Sequence, residues 1–236
     1  MEKLAIMQPY FFPYIGYWQL MHAVDRFVVY DDVHYIKGGW INRNRLLING
    51  EPAYMTAPLH QASSFKRISD ITLMPSPAWR DRLVKQIEMT YRKAPGFTEV
   101  FPVVERLIRH ETDNLSDFLL HQLQTLAAFM GIDTEFVVSS RCYGNDELAG
   151  QARILDICKR EGAHTYVNAR GGQALYDADT FHDAGIELRF IAMRALPYKQ
   201  RSAGFVPHLS IIDALMELGP IEIRHHLDAF ELMEAA

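Results

Sequence analysis

Lys3-Leu-Ala-Ile-Met-Gln-Pro-Tyr-Phe-Phe-Pro-Tyr-Ile-Gly-Tyr17, followed shortly by Arg26-Phe-Val-Val-Tyr-Asp-Asp32, decides the fold class. A short apolar run over Lys3–Met7 reads as a strand, and a Pro-punctuated loop follows it. A helix then begins near Pro13 or Tyr14 and ends near Val24, and Arg26–Tyr30 is a second strand. This is half of a β-α-β unit, and its short strands of buried type imply a parallel sheet. Ligands of such sheets sit beyond the carboxyl ends of the strands. Gln8 and the Asp31-Asp32 pair fall on that edge.

Further along, Trp79, Leu83, Ile87 and Tyr91 recur every fourth residue, and Leu115, Leu119, Leu123, Leu126 and Met130 form a similar stripe. Asp113 or Asn114 caps the second stripe, Gly131 ends it, and a further helix is expected over Pro102–Arg109. These helices define an insertion or subdomain from about Pro75 to Gly131. The α/β pattern then resumes with a strand at Thr134–Val138, a helix over Glu147–Glu161 and strands at Thr165–Asn168 and Glu187–Ile191. A helix over Ser210–Leu218 follows. Ser210 and Asp213 match a capping box, and Gly219-Pro220 supplies the stop. The expected architecture is one α/β domain over residues 1–236, with a parallel-sheet, Rossmann-like (nucleotidyltransferase/HUP-like) core and the helical insertion.

The net charge of −5 creates no global positive field that would draw the chain to nucleic acid or anionic lipid. No apolar run is long enough to span a bilayer and no signal peptide is visible, so a cytoplasmic location is expected. The two cysteines match no metal or redox spacing. Cys158 falls on an apolar helical face and reads as a buried small hydrophobe, whereas Cys142 stands in a loop.

Chemistry concentrates in the first fifth of the chain. Tyr10, Tyr14, Gly16 and Tyr17 crowd a strand-loop-helix junction. Tyr14-Ile-Gly-Tyr17 occupies the place where adenylate-forming and nucleotidyl-transferring folds carry His-x-Gly-His. Tyrosine donates a hydrogen bond but does not become a cation near neutral pH, so the strongest stabilisers of phosphate charge are missing. Asp31 and Asp32 offer a carboxylate as general base, metal ligand or ribose or amine binder, and no second acidic cluster has spacing that favours the metal. His34 is a further candidate base. Lys37, Trp40, Asn42, Arg43 and Asn44 combine an aromatic wall with groups suited to amides, carboxylates and phosphates. Asparagines disfavour strand interiors, so this run reads as ligand contact. Asn168, Gly171 and Gly172 follow a strand and suit an anion-binding nest of backbone N–H groups. Tyr198 and Gln200 have no evident structural reason.

Gln8-Pro-Tyr-Phe-x-Pro-Tyr-x-Gly-Tyr17, Asp31-Asp-Val33, Trp40-Ile-Asn-Arg-Asn44, Ser139-Ser140, the Tyr166–Tyr176 glycine stretch and Tyr198-x-Gln200 leading to Leu209-Ser-Ile-Ile-Asp213 resemble the WbqC-like protein family. The likeness spans nearly the whole chain. It departs from the family pattern at His34, where glutamine is usual, which weakens His34 as a family-wide base. The resemblance implies an accessory enzyme of surface-polysaccharide (O-antigen) or specialised-metabolite biosynthesis. The implied reaction is amide-forming transfer of an acyl or aminoacyl group to an amine such as an amino-sugar nucleotide. Asp31, Asp32 or His34 would serve as base. Tyr14, Tyr17, Asn42 and Asn44 would be donors to the oxyanion, and Arg43 would hold a phosphate. No cofactor is required beyond a phosphopantetheine-linked donor on an acyl or peptidyl carrier protein, and no covalent enzyme intermediate is expected. Two alternatives stand beside this reading: a nucleotidyltransferase-like or adenylate-forming enzyme, and a non-catalytic module that binds a nucleotide sugar or a carrier protein.

Overall fold

Short apolar segments that alternate with helices leave little freedom of architecture, and the computed structural model, which describes residues 2–194 and 196–235, follows that pattern. The chain opens with β1 (Lys3–Met7), α1 (Ile15–His22) and β2 (Arg26–Val29). A hairpin of β3 (Arg43–Ile48) and β4 (Glu51–Thr56) follows, then a small ladder of β5 (Leu59–His60) and β6 (Thr72–Leu73). Three helices come next, α2 (Ala78–Tyr91), α3 (Phe97–Arg109) and α4 (Leu115–Met130). The remainder is β7 (Glu135–Val137), α5 (Gly150–Arg160), β8 (Thr165–Ala169), α6 (Ala178–Asp183), β9 (Glu187–Met193), α7 (Ile211–Leu227) and β10 (Phe230–Glu234).

The central sheet has the order β10-β9-β8-β1-β2-β7. All of its pairings are parallel except that of β10 with β9. Period-2 alternation sends Ala5, Phe27, Val29, Val167 and Ile191 to one face and Leu4, Ile6, Val28, Tyr166 and Phe190 to the other. The first face packs against α1, α2, α3, α4 and α7, and the second against α5 and α6. The apolar sides of the inserted helices therefore share a core with β1 and β2. No helix of the described residues is long and apolar enough to cross a membrane.

Two local readings need correction. The β3–β4 hairpin is absent from the sequence reading, although Asn49-Gly50 is its signal: both residues have positive φ, 53° and 83°, as a tight hairpin turn requires. Asp213 does not complete a capping box. Ser210 accepts from the Ile212 amide, but the Asp213 carboxylate turns into the core. Gly219-Pro220 does supply the expected stop: Gly219 (φ 82°, ψ 171°) leaves helical geometry, and a second helical segment of α7 begins directly after it, because Pro fits a first helical turn.

Other bounds shift: α3 begins at Phe97 rather than Pro102 and α5 at Gly150 rather than Glu147, and β5, β6, α6 and β10 have no counterpart in the sequence pattern. Asn114 is the residue that caps α4, and Gly131 closes it. Cys158 is fully buried with its thiol pushed up to about 12, and burial also raises the thiol of exposed Cys142, so neither is primed as a nucleophile.

Candidate functional site

The Gln8–Tyr14 loop at the carboxyl end of β1 is clasped from three sides. Phe11 and Phe12 are fully buried, and Phe12 takes the left-handed φ of 42°. The Asn44 amide holds this turn by donating to the carbonyls of Phe11 (3.0 Å) and Phe12 (2.9 Å). Ser210 donates to the Phe12 carbonyl at 2.8 Å, and the Trp18 indole to that of Pro13 at 3.0 Å. Asn42 is similarly committed, accepting from the Tyr35 hydroxyl (2.7 Å) and donating to the Ala57 carbonyl (2.9 Å). The two asparagines are thus in strands and turns because they satisfy buried backbone groups. Asn44→Ala strands the Phe11 carbonyl, removes the side-chain acceptor of the Arg45 amide and leaves the Phe12 carbonyl to Ser210 alone, and a loss of about 2–3 kcal/mol in urea unfolding is expected. An unchanged midpoint would remove the clasp from the account.

The Asp31-Asp32 pair lies beside Ser139-Ser140 because β2 and β7 run parallel and in register. Asp31 is fully buried and accepts from Ser116 and Ser139, each at 2.6 Å. Asp32 accepts from the Ser140 hydroxyl and, at 2.5 Å, from the Arg153 guanidinium, whose Nε bonds Asn145. Every carboxylate oxygen of the pair therefore has a donor. Asp32 and His34 do share a cavity of about 240 Å³ with Tyr30, Arg67 and Arg153.

Several other predicted contacts have internal partners. Tyr17 is buried and donates to the Gln8 carbonyl at 2.9 Å, so its hydroxyl is turned away from any ligand. Arg43 folds back onto the carbonyls of Gly38 and Gly39 and over the Tyr54 ring, while Lys37 stands in solvent. Asn168 bonds the Tyr166 and Tyr176 hydroxyls. Gly171 and Gly172 lie in a 3-10 turn with no positive φ, so the alternation that makes an anion nest is absent there. Tyr198 and Gln200 gain the structural reason they lacked. Both donate to the Asp213 carboxylate, at 2.7 Å and 3.1 Å, and Tyr91 donates to its other oxygen at 2.8 Å. Burial raises the Asp213 pKa, and these three donors oppose the shift.

Two adjoining cavities, treated below as two lobes, lie at the amino end of α1 and gather more of the sequence-derived residues than the Asp32 cavity does. The open lobe, about 280 Å³, is lined by Tyr10, Pro13, Tyr14, Trp40, Asn44, Arg45 and His208. The closed lobe, about 80 Å³, lies between Tyr14, Gly16, Gln19, Met193, Tyr198, Phe205, His208 and His226. Tyr14 and His208 are common to both lobes, with rings edge to face at 5.4 Å. Burial keeps the Tyr14 hydroxyl protonated, and it donates to the Met193 sulfur at 3.3 Å. The absence of a side chain at Gly16 admits that thioether: a Cβ there would sit 1.7 Å from Sδ.

His208 is exposed and has a φ of 58°, in the left-handed region that His, Asn and Asp enter more readily than other non-glycine residues. Beside the open lobe, against the Trp40 ring, the Arg45 Nε is buried without a partner among the described residues. Burial lowers the His226 pKa, so this ring is neutral at physiological pH.

Tyr10, Tyr14, Gly16, Trp40, Asn44 and Tyr198 are the sequence-derived site residues that this cavity gathers, whereas Asp32 and His34 line the other one. Gln19, Arg45, Arg153, Met193, His208 and His226 were missed as site residues. Arg153 had a signal, as a lone cation on the apolar face of α5. His208 had none, since its role depends on a backbone turn.

The similarities of the chain match the spread of these motifs. It is 28% identical over 223 residues to Rv1507c, an uncharacterized protein of Mycobacterium tuberculosis, covering 93% of this chain and 95% of that protein. No solved structure matches it. The family profile runs over residues 8–225, from the clasped loop after β1 to α7, and the chain belongs to the WbqC-like protein family.

Proposed function

We propose that this protein is an amide-forming transferase that moves an acyl or aminoacyl group from a carrier-protein thioester to an amine. The observation that carries the reading is the wall shared by the two lobes, formed by Tyr14 and His208. Direct transfer needs a donor and an acceptor in adjoining spaces, with a base and an oxyanion donor where they meet. His208 is an imidazole at that junction, and Tyr14 is a protonated hydroxyl beside it. Arg45, with its unpartnered Nε, suits the phosphate or an amide carbonyl of a phosphopantetheine arm in the open lobe.

In the reaction, His208 takes a proton from the ammonium, and the freed amine nitrogen attacks the thioester carbonyl. Tyr14 donates to the oxyanion as the C–N bond forms. The imidazolium passes this first proton to solvent, and the imidazole takes the second from the nitrogen of the tetrahedral adduct. Collapse then breaks the C–S bond, and the imidazolium gives that second proton to the leaving thiolate. The carboxylates of Asp31 and Asp32, already saturated with donors, act as positioning groups that join β2 to β7 and α5.

The strand order β7-β2-β1-β8-β9 corresponds to 3-2-1-4-5 among the parallel strands, the order of doubly wound nucleotide-binding sheets. It supports the finer Rossmann-like, nucleotidyltransferase-related assignment and an acceptor bearing a nucleotide. Surviving nucleotidyl transfer is disfavoured because Tyr17 is buried on the Gln8 carbonyl. The test is incubation with a panel of acyl- and aminoacyl-carrier proteins and amino-sugar nucleotides, read by product mass. The expected result is an amide product with stoichiometric free carrier thiol. Intact donors across a panel that includes carriers encoded by neighbouring genes, or pyrophosphate release from ATP with Mg²⁺, overturns the reading.

A further inference from the structure

The closed lobe is apolar over most of its wall, yet two buried groups beside it lack what a polar group ordinarily requires. Gln19, on α1, is 1% exposed. Its Nε2 donates to the carbonyls of His226 (2.6 Å) and Ala229 (3.1 Å), which fixes the orientation of the amide. Its Oε1 is then a buried acceptor with no partner among the described residues. A buried acceptor left unsatisfied pays its full desolvation penalty, so a donor that reaches it is favoured. The second group is Asp213, behind Tyr198 and adjacent in sequence to Ala214 of the cavity wall. It is 1% exposed and, among the described residues, forms no salt bridge; three neutral donors hold it, and the charge of Arg201 acts on it only from beyond contact distance.

The remaining wall groups point the same way. Tyr14, Tyr198 and Phe205 contribute aromatic rings, which favour a cation over their faces. His226 is neutral at physiological pH and adds no opposing charge. A volume of about 80 Å³ is that of two to three water molecules, which admits a short aliphatic arm. We propose that the closed lobe binds a primary ammonium group on such an arm. Its identification with the amine that becomes acylated rests on the transferase reading above, but the binding itself does not.

The experiment is a titration of the ¹⁵N-labelled protein, followed through the backbone amides of Gly16 and Ala214 and the side-chain amide of Gln19. Three probes separate charge from donor capacity: n-propylammonium, n-propanol and tetramethylammonium. Saturable shifts are expected with n-propylammonium, binding about tenfold weaker or more with n-propanol, and no shift at these amides with tetramethylammonium. Equal binding of n-propanol, or no saturable shift with n-propylammonium, overturns the proposal. Gln19→Met removes the acceptor and is expected to abolish the shifts. Ala214→Leu fills the lobe while leaving the Gln19 bonds in place, so a folding defect in the first variant does not decide the outcome. Undiminished n-propylammonium binding in folded Ala214→Leu also overturns it. Amine binding without transfer from any donor would sink the transferase reading and leave the ammonium site standing.

Discussion

His208→Asn is expected to lower kcat/KM for amide formation by about 10²–10⁴-fold, the range for loss of a positioned general base. Asparagine is the appropriate replacement because it tolerates the left-handed φ of 58° that His208 adopts, so the turn survives while the imidazole is lost. The loss should appear chiefly in kcat, with KM for the carrier donor little changed, because a base acts in the transition state. Tyr14→Phe is the companion variant, with about a 10²-fold loss expected from removal of an oxyanion donor. The two losses should not add, since both groups serve one attack across the same wall. Retention of kcat/KM within a few-fold in His208→Asn, once transfer has been detected in the wild type, would move the base elsewhere.

Arg153→Met carries the largest expected loss of stability. The guanidinium and the Asp32 carboxylate are 4% and 3% exposed, and they meet at 2.5 Å. Removing one partner leaves the other charge buried and uncompensated, which costs about 3–5 kcal/mol. The Ser140 hydroxyl remains on Asp32 but supplies no opposing charge. The double variant Arg153→Met, Asp32→Asn should recover much of the loss, because it removes the stranded charge along with the pair. Urea unfolding of the wild type and three variants gives the coupling directly. A purely additive cycle would show that the pair contributes nothing as a pair.

These two outcomes bear on sites of different legibility. The acidic pair at the end of β2 and the serine pair at the end of β7 were both visible in the chain, and so was the edge on which they meet. Their partnership was not, because it depends on the register between two strands separated by more than a hundred residues. In sequence alone Asn42 and Asn44 read as ligand contacts and Tyr198 and Gln200 have no evident structural reason, since polar residues in such runs need partners. The partners are the carbonyls of Phe11, Phe12 and Ala57 and the carboxylate of Asp213, which only the folded chain brings within reach.

By itself the sequence determined the alternation of strands and helices, the mostly parallel sheet and the carboxyl edge that carries the polar motifs. Those properties follow from local periodicity and turn chemistry, which act over a few residues. Tertiary structure alone decided which polar groups are satisfied internally and which are left wanting a partner. It turned Tyr17 and Arg43 back onto carbonyls, and it left the buried Arg45 Nε and Gln19 Oε1 without partners among the described residues. It also set His208 against Tyr14 across nearly two hundred residues of chain. The physical reason is that hydrogen-bond satisfaction is a pairwise property of the folded molecule. A residue's chemistry can be read from its letter, but whether that chemistry is free depends on the neighbour that packing supplies.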